Sequence, residues 1–170
     1  MGSMKEKLLR FEVLLTEHRK IIFKVASIYA RSAEDRNDLA QEIQVQLWRS
    51  FGRYDAERAK FSTWMYRIAL NVAISQLRRN HHLSAERMES LDDHHAETIA
   101  ADDSRLGDEH LLMLYAFIEQ LDALDKALIL LYLDAHSHAE IADILGISAT
   151  NVSTKIGRIK QKLRDQMKAA

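Results

Sequence analysis

The sequence contains no cysteine and no proline, and only five of its 170 residues are glycine. Without cysteine the chain can form neither disulfides nor thiolate metal sites, as is usual for proteins of a reducing cytoplasm. Without proline, and with so few glycines, long helices meet few interruptions. No apolar run approaches the roughly 18 residues of a membrane-spanning helix, and no signal peptide is recognisable. We therefore expect a cytoplasmic protein without membrane insertion.

The sequence also lacks the motifs of the common enzyme classes. It has no glycine-rich phosphate loop, no His-Glu-x-x-His and no His-Asp dipeptide, and residues 146–150 lack the final glycine of a nucleophile elbow. Two histidine pairs, His81-His82 and His94-His95, have no spacing that would fix a metal geometry, so we interpret them as solvated. We predict a protein that is not an enzyme and that needs no cofactor or metal ion.

The charge is segregated along the chain although the net charge is only −1. Residues 58–82 carry five basic residues and no acid, residues 83–110 carry nine acids and two arginines, and residues 149–170 carry six basic residues and one acid. Two basic blocks around an acidic one predict two modules that face nucleic acid, joined by a tether that avoids phosphate.

The apolar residues recur at helical spacing, and no segment shows the two-residue alternation of a strand, so we predict an all-α fold. We place a first helical domain at 5–81, an acidic flexible linker at 82–107 and a second helical domain at 108–168. The linker combines acidic composition with the absence of a sustained apolar period. In the second domain, residues 108–133 are predicted to form helices that cover the apolar face of the segment after them.

Residues 137–163 carry the pattern of a helix-turn-helix. Ser137 can cap a first helix, and the carboxylate of Glu140 can reach back to the Ser137 amide. Gly146 supplies the left-handed residue that ends this helix, and Ser148 can cap the next one. The spacing predicts two short helices about a tight turn, as in DNA-binding proteins whose second helix enters the major groove.

The second of these helices is amphipathic and basic. Its buried stripe is predicted from apolar residues at steps of four, three and four, namely Val152, Ile156, Ile159 and Leu163. The opposite face is predicted to hold side chains that hydrogen-bond to bases or phosphates, namely Thr150, Asn151, Thr154, Lys155 and Arg158. We expect Lys155, nearer the helix N-terminus, to meet a base edge, and Arg158, one turn further on, to meet phosphate. The alternative is a helical hairpin with a solvated charged face.

The first domain is predicted to begin with a helix over 5–31 and a second helix that is capped within 32–35 and runs to about Phe51. Apolar residues of the second helix recur at steps of four, at Leu39, Ile43, Leu47 and Phe51. Polar side chains lie off that stripe, at Asp38, Gln41, Glu42 and Gln46.

A third helix is predicted from an N-cap at Ser62 to about Asn80, with Phe61 packed against Tyr66 as a hydrophobic staple. One stripe of this helix mixes an aromatic ring with cations and an amide, at Trp64, Arg67, Asn71 and Arg78. Aromatic rings among cations are typical of surfaces where unstacked bases stack while Arg and Lys hold the phosphates. The alternative, that Phe61, Trp64 and Tyr66 belong to the core, stays open.

Three stretches, in this order, resemble bacterial RNA polymerase sigma factors of the extracytoplasmic-function (ECF) type. They are Asp38-Leu39-Ala40-Gln41-Glu42 with Leu47-Trp48; Phe61-Ser62-Thr63-Trp64-Met65-Tyr66-Arg67-Ile68-Ala69 with Asn71; and Ala139-Glu140-Ile141-Ala142 with Leu145-Gly146-Ile147-Ser148, Val152 and Arg158. The resemblance runs from about Leu8 to Leu163. The chain departs from the family at Ser75, where the family often has aspartate, at Gly157 inside the second helix of the helix-turn-helix, and in lacking the usual proline near Leu121.

The resemblance implies two helical domains and, as partners, core RNA polymerase, promoter DNA and an anti-sigma protein. The first stretch would bind core polymerase through Asp38, Leu39, Gln41, Glu42 and Gln46. The second would read and melt the −10 element through Lys60, Phe61, Ser62, Thr63, Trp64, Arg67, Asn71, Arg78 and Arg79. The third would read the −35 element through Ser148, Thr150, Asn151, Thr154, Lys155 and Arg158.

Two other functions remain open at this point. An autonomous helix-turn-helix regulator would bind duplex DNA unaided, usually as a symmetric dimer, and would have no use for a second basic block with aromatic residues. A helical protein-interaction adaptor would show no salt-dependent binding to DNA.

Overall fold

The computed structural model describes residues 2–87 and 109–169, with the side chains of all but 84–87. Within these residues the regular elements are α-helices and one short 3-10 helix, which confirms the all-α prediction. The chain divides into two compact units, Met1–Ser75 and Gln76–Ala170. The division falls inside the third helix, a few residues before the end predicted for the first domain.

The first unit begins with α1 (Gly2–Tyr29), which packs against α2 (Ala33–Ser50). The hydroxyl of Ser32 accepts a hydrogen bond of 3.0 Å from the backbone N–H of Asp35, so α2 is capped where the sequence predicts. The 3-10 helix Phe51–Arg53 follows α2 directly. The first unit therefore starts as two long helices held by apolar stripes, with a tight turn after the second.

The core of the first unit has an aliphatic part and an aromatic part. The aliphatic part includes the buried side chains Ile22, Val25, Leu39, Ile43 and Leu47. The aromatic part, here called the aromatic cluster, consists of Phe11, Trp48, Phe51, Tyr54, Phe61 and Trp64. Neighbouring rings in the cluster have centroids 5.1 to 6.5 Å apart. The cluster joins α1, the end of α2 and the connector to the start of α3.

The third helix, α3 (Phe61–Arg87), differs from its prediction at both ends. The carbonyl of Lys60 already accepts from the Trp64 N–H at 3.1 Å, so Ser62 lies inside the first turn and is not the N-cap. The helix passes Asn80 because no glycine or proline interrupts it. The start of the predicted linker is therefore helical. The rest of the linker lies outside the described residues, as does the second histidine pair.

The second unit contains α4 (Glu109–Glu119), α5 (Ala123–Leu133), α6 (His138–Leu145) and α7 (Ala149–Ala169). Both α6 and α7 pack against α5, and α4 also contacts α5. Its core is formed by the buried side chains Phe117, Ile118, Leu128, Leu131, Ile141, Ile144, Val152, Ile156 and Ile159. Of the helices before the helix-turn-helix, α5 thus covers its apolar face as the sequence predicts, and α4 packs against α5.

The helices α5 and α6 both end at a residue in the left-handed conformation, which is an alanine after α5 and a glycine after α6. After α5, the Ala135 N–H donates to the Tyr132 carbonyl and the His136 N–H to the Leu131 carbonyl, each at 3.1 Å. Ala135 has φ 62°, and it is the one non-glycine residue with positive φ in the described part of the chain. After α6, Gly146 has φ 69° and takes the same left-handed position. Glycine relieves the Cβ clash of this conformation, whereas alanine does not.

We expect Ala135→Gly to raise the free energy of unfolding by about 0.5–1 kcal/mol, since relief of the left-handed strain exceeds the added chain entropy. The reciprocal change, Gly146→Ala, is expected to lower it by about 1 kcal/mol. Urea unfolding followed by circular dichroism measures both. A loss of stability in Ala135→Gly would show that contacts of the alanine methyl group outweigh the strain.

Candidate nucleic-acid interface

The turn of the helix-turn-helix is set by side-chain caps at both helices. The Ser137 hydroxyl accepts from the Glu140 N–H at 3.1 Å, and the Glu140 carboxylate accepts from the Ser137 N–H at 3.0 Å. Gly146 ends α6, and the Ser148 hydroxyl accepts from the Asn151 N–H at 3.1 Å at the start of α7. All four capping residues predicted for the helix-turn-helix are confirmed, so local hydrogen bonds fix where its two helices end and begin.

The helix α7 has one buried side and one exposed side. Val152, Ile156 and Ile159 are buried, and Leu163 is half-buried at the end of the same stripe. The opposite side exposes Thr150, Asn151, Thr154, Gly157 and Arg158. These side chains are short and polar or cationic, and they begin at the helix N-terminus. This exposed side is here called the α7 outer face, and it suits the major groove of a duplex.

Lys155 does not lie on the α7 outer face, and the prediction that it lies opposite the buried stripe is wrong. It follows Val152 by three residues and precedes Ile159 by four, which puts it at the edge of the stripe, half-buried. Burial raises the pKa of the Asp125 carboxyl, and Asp122 adds to this, while Lys155 and Lys162 act against the rise. Lys155 therefore lies close enough to the acidic first turn of α5 to interact electrostatically with Asp125.

A second exposed polar surface lies on the first-unit part of α3. Trp64, Arg67 and Asn71 succeed one another at steps of three and four, and the first two are half-buried while Asn71 is exposed. Lys60 is exposed just before the helix. Ser62 and Thr63 are half-buried beside it. The Trp64 ring is partly covered by Phe51, Tyr54 and Phe61, at centroid distances of 6.2, 5.1 and 5.3 Å. We call Lys60, Trp64, Arg67 and Asn71 the α3 ridge.

Phe61, which the resemblance puts in the DNA-binding set, belongs to the core. Its side chain is 5 % exposed, and its ring contacts those of His18, Tyr54 and Trp64 at 5.2 to 5.3 Å. It is therefore a residue that supports the Trp64 ring from behind. Tyr66 is also buried, so the sequence alternative of a core position holds for Phe61 and Tyr66, while Trp64 keeps an accessible surface.

Arg78 and Arg79 lie in the part of α3 that belongs to the second unit. Both are exposed. Their guanidinium groups are accessible to phosphate, so the structure places them where the predicted contact with a nucleic-acid backbone is sterically open. The first histidine pair lies just after them and is also exposed on α3.

The helix α2 exposes a third polar surface. Asp38, Gln41 and Glu42 are exposed on its side away from the core. Val45 lies one turn further on that side and is 43 % exposed. Sequence reasoning missed Val45, although its spacing of four and three from Gln41 and Glu42 is a signal that could have found it. We call these four residues the α2 outer face.

Two α2 residues predicted to bind core polymerase are not on the exposed side of the helix. Leu39 is 2 % exposed in the core, so its side chain cannot reach a partner and instead anchors the helix. Gln46 is half-buried at the edge, where its amide donates to the Ser50 hydroxyl at 3.5 Å. Of the five α2 residues predicted to bind polymerase, only Asp38, Gln41 and Glu42 are exposed.

Two family models match the chain. Sigma-70 region 2 matches residues 14–82, which include α2 and the α3 ridge, and Sigma-70 region 4 matches residues 111–163, which include the helix-turn-helix. Among curated relatives, the ECF RNA polymerase sigma factor SigW of Bacillus subtilis is 28% identical over 93% of this chain and 89% of its own length. The chain belongs to the ECF sigma factors. The SigE relative of Mycolicibacterium smegmatis is also 28% identical, over 92% of this chain, which spans 61% of that longer protein.

Solved structures agree with this sigma factor in fold. The sigma factor RpoE of Bartonella quintana, in complex with the anti-sigma factor NepR, has a TM-score of 0.69 at 17% identity and covers 99% of this chain and 98% of its own. CnrH, in complex with the cytosolic domain of CnrY, has a TM-score of 0.64 at 22% identity and covers 94% and 88%.

Sigma factors are transcription initiation factors, which bind core RNA polymerase, direct it to promoters and help to melt the DNA. The family assignment therefore describes this protein as an initiation factor of that kind. Among its described helices, none has the length and apolar content to cross a membrane. Over residues 2–87 and 109–169, no three His, Asp or Glu side chains group as metal ligands would.

Proposed function

We propose that this sigma factor uses three surfaces for three tasks: the α7 outer face for the −35 duplex, the α3 ridge for the −10 strand, and the α2 outer face for core polymerase. The observation that carries the proposal is the α7 outer face. It offers short polar side chains and one arginine on the side of α7 away from the buried Val152, Ile156 and Ile159, on a helix whose N-terminus is fixed by a cap. No cofactor or metal takes part.

The −35 duplex would be read by α7 from its N-terminal turn. Asn151 and Thr154 can hydrogen-bond to base edges in the major groove, and Thr150 can contact a base or a phosphate. Arg158 lies one turn beyond Thr154, and its reach and charge suit a phosphate of the groove wall. Ser148, already capping the helix through its hydroxyl, is exposed and lies close enough to the N-terminus to meet a phosphate as well.

The −10 element would be bound as a separated strand by the α3 ridge. Trp64 offers part of a ring surface, and Arg67 and Asn71 follow it along the helix. A base that has left the duplex can stack on such a ring, at roughly 1–3 kcal/mol per base, while a cation holds its phosphate. A stacked base is available only after melting, so this surface favours the open promoter. Lys60, Ser62 and Thr63 would border this strand, and Arg78 and Arg79 would contact the DNA backbone.

Core polymerase would be bound by the α2 outer face. A protein interface favours an apolar contact within a polar surround, and Val45 among Asp38, Gln41 and Glu42 supplies that combination. The face is acidic, which suits a basic surface on the polymerase and repels DNA. The residues buried behind it keep the helix in place without taking part in binding.

We expect the double change Gln41→Ala with Glu42→Lys to lower the affinity for core polymerase by about tenfold, which is about 1.4 kcal/mol. The unfolding midpoint should stay within a few degrees, because surface changes usually cost under about 0.5 kcal/mol. Glu57→Lys, an equal charge reversal at an exposed connector residue, is the matched control and should leave core binding unchanged. Unchanged core affinity in the double variant, measured by fluorescence titration, would remove polymerase binding from this face.

An anti-sigma protein is proposed as a further partner. The two similar solved structures are complexes, one with the anti-sigma factor NepR and one with the cytosolic domain of CnrY. The second unit of this chain exposes apolar side chains of α4 and α5, at Leu112, Tyr115 and Leu133, which suit a protein partner. Because transcription takes place there, we propose that the protein acts in the cytoplasm.

The experiment that tests the proposal compares the chain alone with the chain plus core polymerase on promoter fragments. The fragments carry a −35 duplex followed by a single-stranded −10 segment. We expect a stable complex only with core present, and its loss when either the −35 duplex or the −10 bases are removed. An autonomous regulator would instead bind the intact duplex without polymerase, and that result would overturn the proposal.

A further inference from the structure

Gly157 is an exposed glycine in the interior of the long helix α7, and nothing in the described part of the protein requires a glycine there. It lies eight residues into α7 and far from its end, and it is exposed. A Cβ built at this position would meet no heavy atom of the described protein within 4 Å. Its backbone is helical, so no left-handed conformation favours glycine there. A glycine at such a position weakens the helix relative to alanine.

Gly157 lies on the side of α7 that faces away from the core. It follows Thr154 by three residues and Thr150 by seven, so it shares the α7 outer face with both, beside Arg158. The buried residues Val152, Ile156 and Ile159 occupy the other side. The missing side chain of Gly157 therefore exposes backbone on the face proposed to meet the −35 duplex. It creates no cavity in the core of the second unit.

We propose that Gly157 is a specificity-determining position at which the −35 duplex lies directly against the backbone of α7. This inference rests on the proposed function. A helix with its side chains is about 10–12 Å across, while its Cα atoms lie only about 2.3 Å from the axis. Removing one side chain from the middle of the outer face lets the helix sit deeper in a groove that is about 12 Å wide. The side chains on either side of the gap then reach further along the base edges.

The test is a size series at this residue, with Gly157→Ala and Gly157→Leu in the full chain. Both residues are better helix formers than glycine, so the midpoint of thermal unfolding should rise by about 3–6 °C in each variant. Binding of the holoenzyme to the −35 duplex should fall in order of size, by about tenfold for alanine and more for leucine. Stability and DNA binding thus change in opposite directions.

Ser153→Ala is the matched control, because Ser153 is exposed in the same helix and its replacement raises helical propensity without adding an atom to the outer face. It should leave promoter binding within about twofold. If Gly157→Ala stabilises the chain and binds the promoter as well as the wild type, the inference is overturned. Equal losses for alanine and leucine also overturn it, since they would indicate that helix flexibility and not close approach matters.

The outcome for the wild-type chain separates this inference from the proposed function. If wild-type holoenzyme shows no preference for a fragment with the −35 element, the proposed −35 reading itself fails. If it shows that preference and the two Gly157 variants keep it in full, the helix reads the duplex but does so without contact at this residue, and only the inference fails.

Discussion

Phe61→Ala is expected to lower the free energy of unfolding of the first unit by about 3–5 kcal/mol, the largest effect we predict on stability. The side chain is 5 % exposed and its ring contacts Tyr54, Trp64 and His18, so truncation leaves a cavity at the centre of the aromatic cluster. Phe23→Ala, at a phenylalanine of α1 that is 52 % exposed, is the control and should cost well under half as much. Chemical unfolding of both variants makes the comparison.

Trp64→Ala is expected to combine a smaller loss of stability with a loss of promoter opening. The ring packs on Phe51, Tyr54 and Phe61 on one side and keeps accessible surface on the other. Open-complex formation should fall at temperatures where the variant is folded, and a template with a pre-melted −10 segment should restore only part of it, because the stacking surface is gone. Trp64→Phe keeps a ring and should restore most of the activity. If Phe61→Ala and Trp64→Ala change promoter opening only in proportion to their loss of stability, Trp64 is a core residue and nothing more.

Arg158→Ala is expected to weaken DNA binding at every promoter alike. It removes the exposed cation nearest the N-terminus of α7, so the affinity of holoenzyme should fall about tenfold for every promoter, and the dependence of log affinity on log salt should weaken by about one. Lys168→Ala removes the same charge in the last turn of α7 and is the control. A loss confined to certain −35 sequences would mean that Arg158 reads a base and does not meet a phosphate.

The same measurements test Lys155, for which the sequence predicts a base contact. Because Lys155 is half-buried and interacts electrostatically with Asp125, we expect a smaller effect on promoter discrimination than the roughly 1–3 kcal/mol of a full base contact. If Lys155→Ala loses discrimination at a single −35 base pair, the base contact predicted from the sequence is supported. Asp125→Asn should then change that discrimination too, because it removes the carboxylate that competes for the lysine.

What could be predicted from the sequence is what depends on neighbours along the chain. The caps at Ser32, Ser137 and Ser148 and the left-handed Gly146 each involve residues within five positions, and all are present in the structure. The buried stripe of α7 follows from helical periodicity and is equally local. The family resemblance, carried by three motifs in order, is confirmed by the two sigma-70 region models that match the chain.

What could not be predicted depends on packing between elements. Helical periodicity alone cannot predict that Phe61 packs in an aromatic cluster with rings from α1 and α2. Nor can it predict that the neighbouring Trp64 ring stays partly exposed. Lys155 shows the same limit, because its exposure depends on α5, which is far from it in sequence. The sequence predicts that α3 ends at about Asn80, because the charged, histidine-containing residues 81–87 have the composition of a linker. These residues include no glycine or proline that would end a helix, and α3 continues through them.

The measurement that tests the central claim most directly is transcription in vitro with 5′-end sequencing. Purified protein and core RNA polymerase from the same bacterium are incubated with fragmented genomic DNA, and the start sites of the RNA are mapped. We expect start sites that share a −35 and a −10 element at fixed spacing, that disappear when the protein is omitted, and that are all used less with Arg158→Ala. Start sites without shared elements, or the same sites made by core polymerase alone, would contradict the account.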